Sequence, residues 1–279
     1  MTNLTNYHSH CSFCDGHADP ELFAQEAIRL GFTSYGFSSH APLPFPTRWT
    51  IKTDNLQHYI TEVLRLKQAY ASEIELYLGL EIDYLNADHN PMSEIFRSLP
   101  LDYRIGSVHM LEDLNGDLAD IDVKPEKFRE KIDTRFGGDL KGVVIAYFDK
   151  LMRMLETGGF DILGHADKIS MNASFCQPDI TSQDWYLDKI KSYFSFVAEK
   201  EVIMEINTKA FADKGFFFPN KQHFTLIREL GIPVQVNSDA HYLSKINDGR
   251  DEALDLLKAN GIREVMELRR GIWTAVPIR

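Results

Sequence analysis

The chain has 279 residues, 44% of them apolar and 25% charged, and carries a formal net charge of −11. That length suits one soluble α/β barrel domain spanning 1–279, and the acidic balance argues against nucleic acid as a partner, because neutralising phosphates needs clustered Lys and Arg. No apolar run approaches the roughly 18 residues of a membrane helix, the longest candidate being "GVVIAYF" at 142–148, and no signal-like segment opens the chain, so the expectation is a cytoplasmic protein with no membrane partner.

In chain order, short β-rich runs alternate with longer helical stretches. "LTNY" at 4–7 reads as a first strand, followed by the cluster "NYHSHCSFCDGH" at 6–17. Asp19 is placed as an N-cap with Pro20 at the first helical position, and Phe23, Ala27 and Leu30 share a face before Gly31 ends the helix. Further strands are expected at 33–37, 76–82, 103–108, 160–163, 202–206 and 233–236, with helices at about 55–72, 142–157, 183–199, 220–230 and 250–259. This βα rhythm predicts a mainly parallel sheet.

Residues 111–140 break the rhythm. They are polar, charge-rich and closed by Gly137-Gly138, which suggests an insertion or lid. Asp113, Asn115 and Asp117 begin like a calcium loop, but Leu118 stands where glycine is required and Lys124 where the bidentate glutamate should be. No Walker loop, G-x-G-x-x-G or internal repeat is present. Cys11 and Cys14 form a C-x-x-C pair without a second one; with Cys176 they are read as reduced thiols uninvolved in chemistry.

The informative pattern is where metal-capable residues fall. His8 and His10 follow the first expected strand, His40 the second, His109 the fourth, His165 the fifth, and Asp239 with His241 the seventh, while Glu81 closes the third. Every one lies at a carboxyl end, and a barrel gathers those ends on one face. His17 could swing back as another ligand, with Asp15 its competitor. His58, His89 and His223 fall in helical or loop stretches and are read as structural. A set rich in imidazole with two carboxylates suits zinc, manganese or iron better than magnesium or calcium. Such cations would make the pocket locally positive, as an anionic substrate needs.

Five ordered motifs, "HSH" at 8–10, "SSHAPLP" at 38–44, "GSVHM" at 106–110, "GHADK" at 164–168 and "NSDAH" at 237–241, resemble the polymerase-and-histidinol-phosphatase (PHP) superfamily. Within it, "SHAPLP", "LDYRIGSVH" and "EINTKA" at 205–210 are similar to the histidinol-phosphate phosphatases of histidine biosynthesis. The resemblance implies a distorted (β/α)7, TIM-like barrel of the PHP fold holding two or three divalent transition metals. It assigns one metal to His8, His10, Glu81 and Asp239, a second to Glu81, His109 and His165, and a third to His17, His40 and His241. It further implies that a metal-bridging hydroxide, supported by Glu81, Asp239 and His165, attacks the phosphorus of L-histidinol phosphate in line.

Relatives commonly carry an arginine shortly after "E-[IL]-N-T". This chain offers Lys209 and Lys214 there, and Arg48 and Lys168 are further candidates for phosphate contact. Asp83, Glu205 and Phe216–Phe218 are candidates for recognising an imidazole-bearing alcohol, although core packing is the simpler role for the phenylalanines. Alternatives are a phosphoesterase for another small monoester or a nucleotide, an amidohydrolase-type barrel, in which a carboxylated lysine would replace Glu81, and a non-catalytic metal-binding module. Nothing in the sequence fixes an oligomeric state.

Overall fold

The computed structural model describes residues 3–279. Seven parallel strands, Thr5–Asn6, Ser34–Phe37, Glu75–Asp83, Tyr103–Ser107, Ile162–Leu163, Ile203–Asn207 and Val234–Asn237, pair in strict chain order. The seam between the last and the first is bridged just beyond their ends, where His10 N donates to Ala240 O at 2.9 Å and Ala240 N to His8 O at 3.3 Å. The result is a nearly closed, distorted (β/α)7 barrel. Each expected strand is found.

The third strand shows how sequence alternation builds both layers. Leu76, Leu78, Leu80 and Ile82 point outward into a core shared with Phe23, Tyr59, Val63 and Leu66 of the covering helices Pro20–Arg29 and Leu56–Ala69. The intervening Tyr77, Gly79, Glu81 and Asp83 face the barrel axis. Low in the barrel Tyr77 packs with Tyr7, Tyr103, Ile105, Ile162 and Ile203; higher up Glu81 and Asp83 are buried at the rim. The Tyr103 ring lies across the axis and its hydroxyl donates to Tyr7 O at 2.5 Å. It leaves no room for side chains opposite: a Cβ at Gly36 or Gly79 would lie 2.4 Å from Tyr103 atoms.

Two hairpins were not foreseen. Glu264–Arg269 and Ile272–Pro277 pair antiparallel and close the lower end of the barrel, where Leu268, Met266 and Trp273 pack on the tyrosines. Their turn, Arg270-Gly271, has positive φ at both residues, the geometry of a two-residue hairpin loop. The polar segment after the fourth strand forms a second hairpin, Met110–Glu112 with Leu118–Asp120, and then the helix Pro125–Arg135. It is an insertion, as expected, but the lid reading is corrected. Leu111, Ala119, Ile121, Phe128, Ile132 and Phe136 anchor it in the main core.

Because Tyr103 fills the space facing Gly79, Gly79→Ala is expected to destabilise the protein by about 1–3 kcal/mol through overpacking. Thermal unfolding measures this; an unshifted midpoint would show that the barrel interior is not packed this way.

Candidate metal centre

At the carboxyl-end rim, Glu81 is 1% exposed and its two oxygens face different imidazoles. Oε2 lies 2.8 Å from His40 Nδ1, 3.2 Å from His8 Nε2 and 3.6 Å from His10 Nε2. Oε1 lies 2.8 Å from His165 Nε2 and 3.5 Å from His109 Nε2, and accepts a hydrogen bond from Ser107 Oγ at 2.7 Å. Asp239 Oδ1 is 3.1 Å from His10 Nε2 and 3.8 Å from His8 Nε2. Asp15 Oδ1 is 3.3 Å from His241 Nε2 and 3.8 Å from His40 Nε2.

Several of these atoms have no hydrogen-bond partner although buried: His8 Nε2, His10 Nε2, His40 Nδ1, Glu81 Oε2 and Asp15 Oδ1. Leaving such groups unsatisfied costs about 1–3 kcal/mol each. Nitrogen and carboxylate donors about 3–4 Å apart, aimed at common points, are what cations bound at about 2.0–2.2 Å require. Three sets of donor atoms lie close enough to share an ion: His8, His10 and Asp239; His40, Glu81 and His109; and His10, Asp15, His40 and His241. The donor set therefore fits divalent transition metals on the structure's own terms.

Four of the rings are held from behind. His8 Nδ1 is 2.7 Å from Glu205 Oε1, His109 Nδ1 is 3.0 Å from Asp83 Oδ1, and His241 Nδ1 donates to Asp239 O at 3.0 Å. Such contacts turn the Nε2 lone pairs toward the centre. Glu205 also accepts from His165 N, Asn207 Nδ2 and Asn237 Nδ2. Asp83 and Glu205, considered above for substrate recognition, are buried and committed to the histidines instead. At His10 the partner is a thiol, Cys14 Sγ, 3.6 Å from Nδ1. All three cysteines are free, and burial pushes the Cys14 thiol up to about 11.

Electrostatics follow from this packing. Burial alone would raise Glu81, but the surrounding His8, His40, His109 and His165 hold its carboxyl well below the usual range. Asp239 is likewise held low against burial by Lys209, His8 and His10. Burial, with His241 and His40 beside it, lowers His10 and favours its neutral imidazole, which leaves one ring nitrogen free to donate its lone pair. For His8, burial is overridden by Glu205, Asp239 and Glu81, which raise it. Two of these residues, His165 with φ 25° and Asp239 with φ 48°, sit in the left-handed region that non-glycine residues avoid. Strain of this kind, about 1–3 kcal/mol each, accumulates at functional sites.

Of the residues expected to hold metal, His8, His10, His40, Glu81, His109, His165, Asp239 and His241 come together at the rim. His17 does not join them. It is exposed, stacks on Tyr242 with ring centroids 4.1 Å apart, and lies outside the cluster, whereas Asp15 points in. The turn decides this: Cys11 O accepts both Cys14 N and Gly16 N, which tucks Asp15 under the loop and sends His17 outward. The three histidines read as structural lie outside the cluster. His58 is exposed, while His223 packs beside Tyr186 and Phe194 and burial lowers it to about 4.

A cavity of about 150 Å³ opens over the cluster, lined by Asp15, His40, His109 and His241 below. Trp49, Asp120, Asp122 and Lys209 line its mouth. Lys209 Nζ is 3.1 Å from Asp239 Oδ1, and Lys168 Nζ pairs with Asp122 Oδ2 at 2.6 Å. Arg48 and Lys214 do not line this cavity. Arg48 is exposed beside Trp49, and Lys214 belongs to a separate cleft with Lys124, Met171, Phe175 and Phe216. Phe217 and Phe218 are buried in packing. Trp49, Asp120 and Asp122 were missed because loop and hairpin residues reach the mouth only through tertiary folding.

A seven-stranded barrel with a buried carboxylate bridging histidines at its rim defines a metal-binding α/β barrel class. The PHP domain model matches residues 6–209, and the chain belongs to the PHP domain family. It is 28% identical over 270 residues, 95% of this chain and 96% of the other, to a protein of Deinococcus radiodurans named "Probable histidinol-phosphatase". The hisK protein of Listeria monocytogenes superposes with a TM-score of 0.81 at 24% identity, covering 89% of this chain and 99% of that one. The histidinol phosphate phosphatase of Lactococcus lactis, solved with zinc, L-histidinol and phosphate, gives a TM-score of 0.70 at 20% identity, covering 98% and 99%.

Glu205 is fully buried and holds His8. Glu205→Gln is therefore expected to weaken metal affinity by about 10–100-fold while the far-ultraviolet circular dichroism is preserved; competitive metal titration measures it, and unchanged affinity would remove this role.

Proposed function

We propose that the protein is a metal-dependent phosphomonoesterase acting on L-histidinol phosphate, with residues 1–279 as one catalytic domain. The observation that carries this is Glu81: one buried carboxylate whose two oxygens face separate imidazole sets. The names carried by the Deinococcus and Lactococcus relatives support the substrate assignment.

In this reading His8, His10, Glu81 and Asp239 hold one metal, and Glu81 with His109 and His165 a second. Asp15, His40 and His241 hold a third, Asp15 taking the place first expected for His17. Zinc, manganese or iron there would supply Lewis acidity toward the phosphoryl oxygens and a water activated near neutral pH. Lys209, which pairs with Asp239 and lines the cavity, would meet a phosphoryl oxygen. Lys168, paired with Asp122, fixes the inserted hairpin against the barrel and adds positive potential near His109 and His165. Trp49 stands edge-on to His40 and His109, with centroids 4.8 and 5.5 Å away, and keeps water from one side of the cavity. The preorganised charges around the cavity favour charge development at the phosphoryl group.

The test is release of inorganic phosphate from L-histidinol phosphate by protein of measured metal content. Turnover is expected, with kcat lowered at least about a hundredfold in Glu81→Gln and in His165→Ala. A metal-loaded protein inert toward every monoester offered would favour a binding module instead. The assignment of the third set has its own discriminator. Asp15→Asn is expected to lower metal content and kcat, whereas His17→Ala stays within about threefold of wild type; the opposite ranking would restore His17 as the ligand.

A further inference from the structure

One carboxylate at the cavity mouth takes no part in holding the imidazoles. Asp120 ends the strand Leu118–Asp120 of the inserted hairpin and lines the same cavity as His40, which is 7% exposed with its Nδ1 unbonded. The other acids there are matched: Asp15 faces His40 and His241, and Asp122 pairs with Lys168. The Asp120 carboxylate makes no ion pair among the described residues. Its Oδ1 accepts the Asp122 N–H at 2.8 Å, and the Lys131 ammonium bonds its main-chain oxygen instead. Burial, and then Asp122, push its pKa up against the nearby His109 and Lys131, and neither of these cations closes an ion pair with the carboxylate.

Such a group is unfavourable beside a phosphoryl anion, since like charges confined in one small cavity repel. The penalty becomes a selective advantage when the alcohol end of the ester brings its own cation. Trp49, across the same mouth, adds an aromatic surface that tolerates a cation and lowers the local dielectric.

We propose that Asp120 is a specificity-determining residue that receives a protonated amine on the alcohol portion of the substrate, so that the site selects phosphate monoesters of amino alcohols. The phosphoryl group then points inward to the imidazole-ringed floor and Lys209, and the ammonium outward to the hairpin. This rests on the phosphomonoesterase reading above.

The experiment compares L-histidinol phosphate with its deamino analogue, 3-(imidazol-4-yl)propyl phosphate, at about pH 7.5, where a free imidazole is mostly neutral. 4-Nitrophenyl phosphate serves as a third, cation-free ester. For wild type, kcat/KM should favour the amine-bearing ester by at least about tenfold, and Asp120→Asn should collapse that ratio by a similar factor, mainly through KM. Calorimetry with L-histidinol and metal-loaded protein gives a second readout, expected to weaken in the same variant by about the same factor. If Asp120→Asn lowers all esters equally, keeping the ratio, Asp120 is structural and the proposal fails while the phosphatase reading stands. A wild type that does not discriminate, or L-histidinol binding insensitive to the variant, overturns it as well. If the metal-loaded wild type cleaves none of the esters, the phosphatase reading fails and takes this inference with it.

Discussion

A carboxylate removed from water is costly unless charge and hydrogen bonds surround it, and the upper half of this barrel is organised around one such group. Glu81 projects inward from the third strand into a ring of five imidazoles, His8, His10, His40, His109 and His165. Its compensation comes from residues contributed by four other strand ends. None of those imidazoles has another reason to be buried together. Without cations the cluster is a concentration of unpaired lone pairs; with them it is a ligand set, and the remaining architecture reads as support for that arrangement.

The support is graded from local to global. Period-2 alternation in the third strand separates a packed outer face from an inner row that runs from Tyr77 through Gly79 to Glu81 and Asp83. Tyrosines fill the lower barrel and hold its diameter, and the C-terminal hairpin seals the end beneath them. At the upper end the barrel is closed by the same segments that present His8, His10 and Asp239, so closing the sheet and assembling the site are one event. Carboxylates behind two of the rings, Glu205 at His8 and Asp83 at His109, then fix the direction of those lone pairs. Left-handed backbone at His165 and Asp239 is maintained by this framework, since neither residue would choose it alone.

Much of this was legible in the sequence because a parallel barrel converts position along a strand into position in space. Once seven strands are recognised, a histidine or acid just after each one must lie on a single face, and that reasoning placed His8, His10, His40, Glu81, His109, His165, Asp239 and His241 at the rim. It stopped where geometry is set by turns or distant partners. Asp15 and His17 are separated by one glycine, and only the hydrogen bonds of that loop decide which faces inward. Glu205 could be placed on an inward position of its strand, but its bond to His8 spans 197 positions. The 111–140 segment read as an insertion or lid because its charges outnumber its apolar residues; those apolar residues are spaced to anchor it. The terminal hairpin escaped notice because Arg270-Gly271 lacks the Asn-Gly signature of such turns.

The central claim is that Glu81 is shared between cations. Anomalous diffraction from crystals of the metal-loaded protein, recorded at the absorption edges of zinc, manganese and iron, tests it directly. The account predicts separate peaks within about 2.0–2.2 Å of the two Glu81 oxygens, and a further peak among Asp15, His40 and His241. Peaks remote from Glu81, or a single ion touching only one of its oxygens, would contradict it.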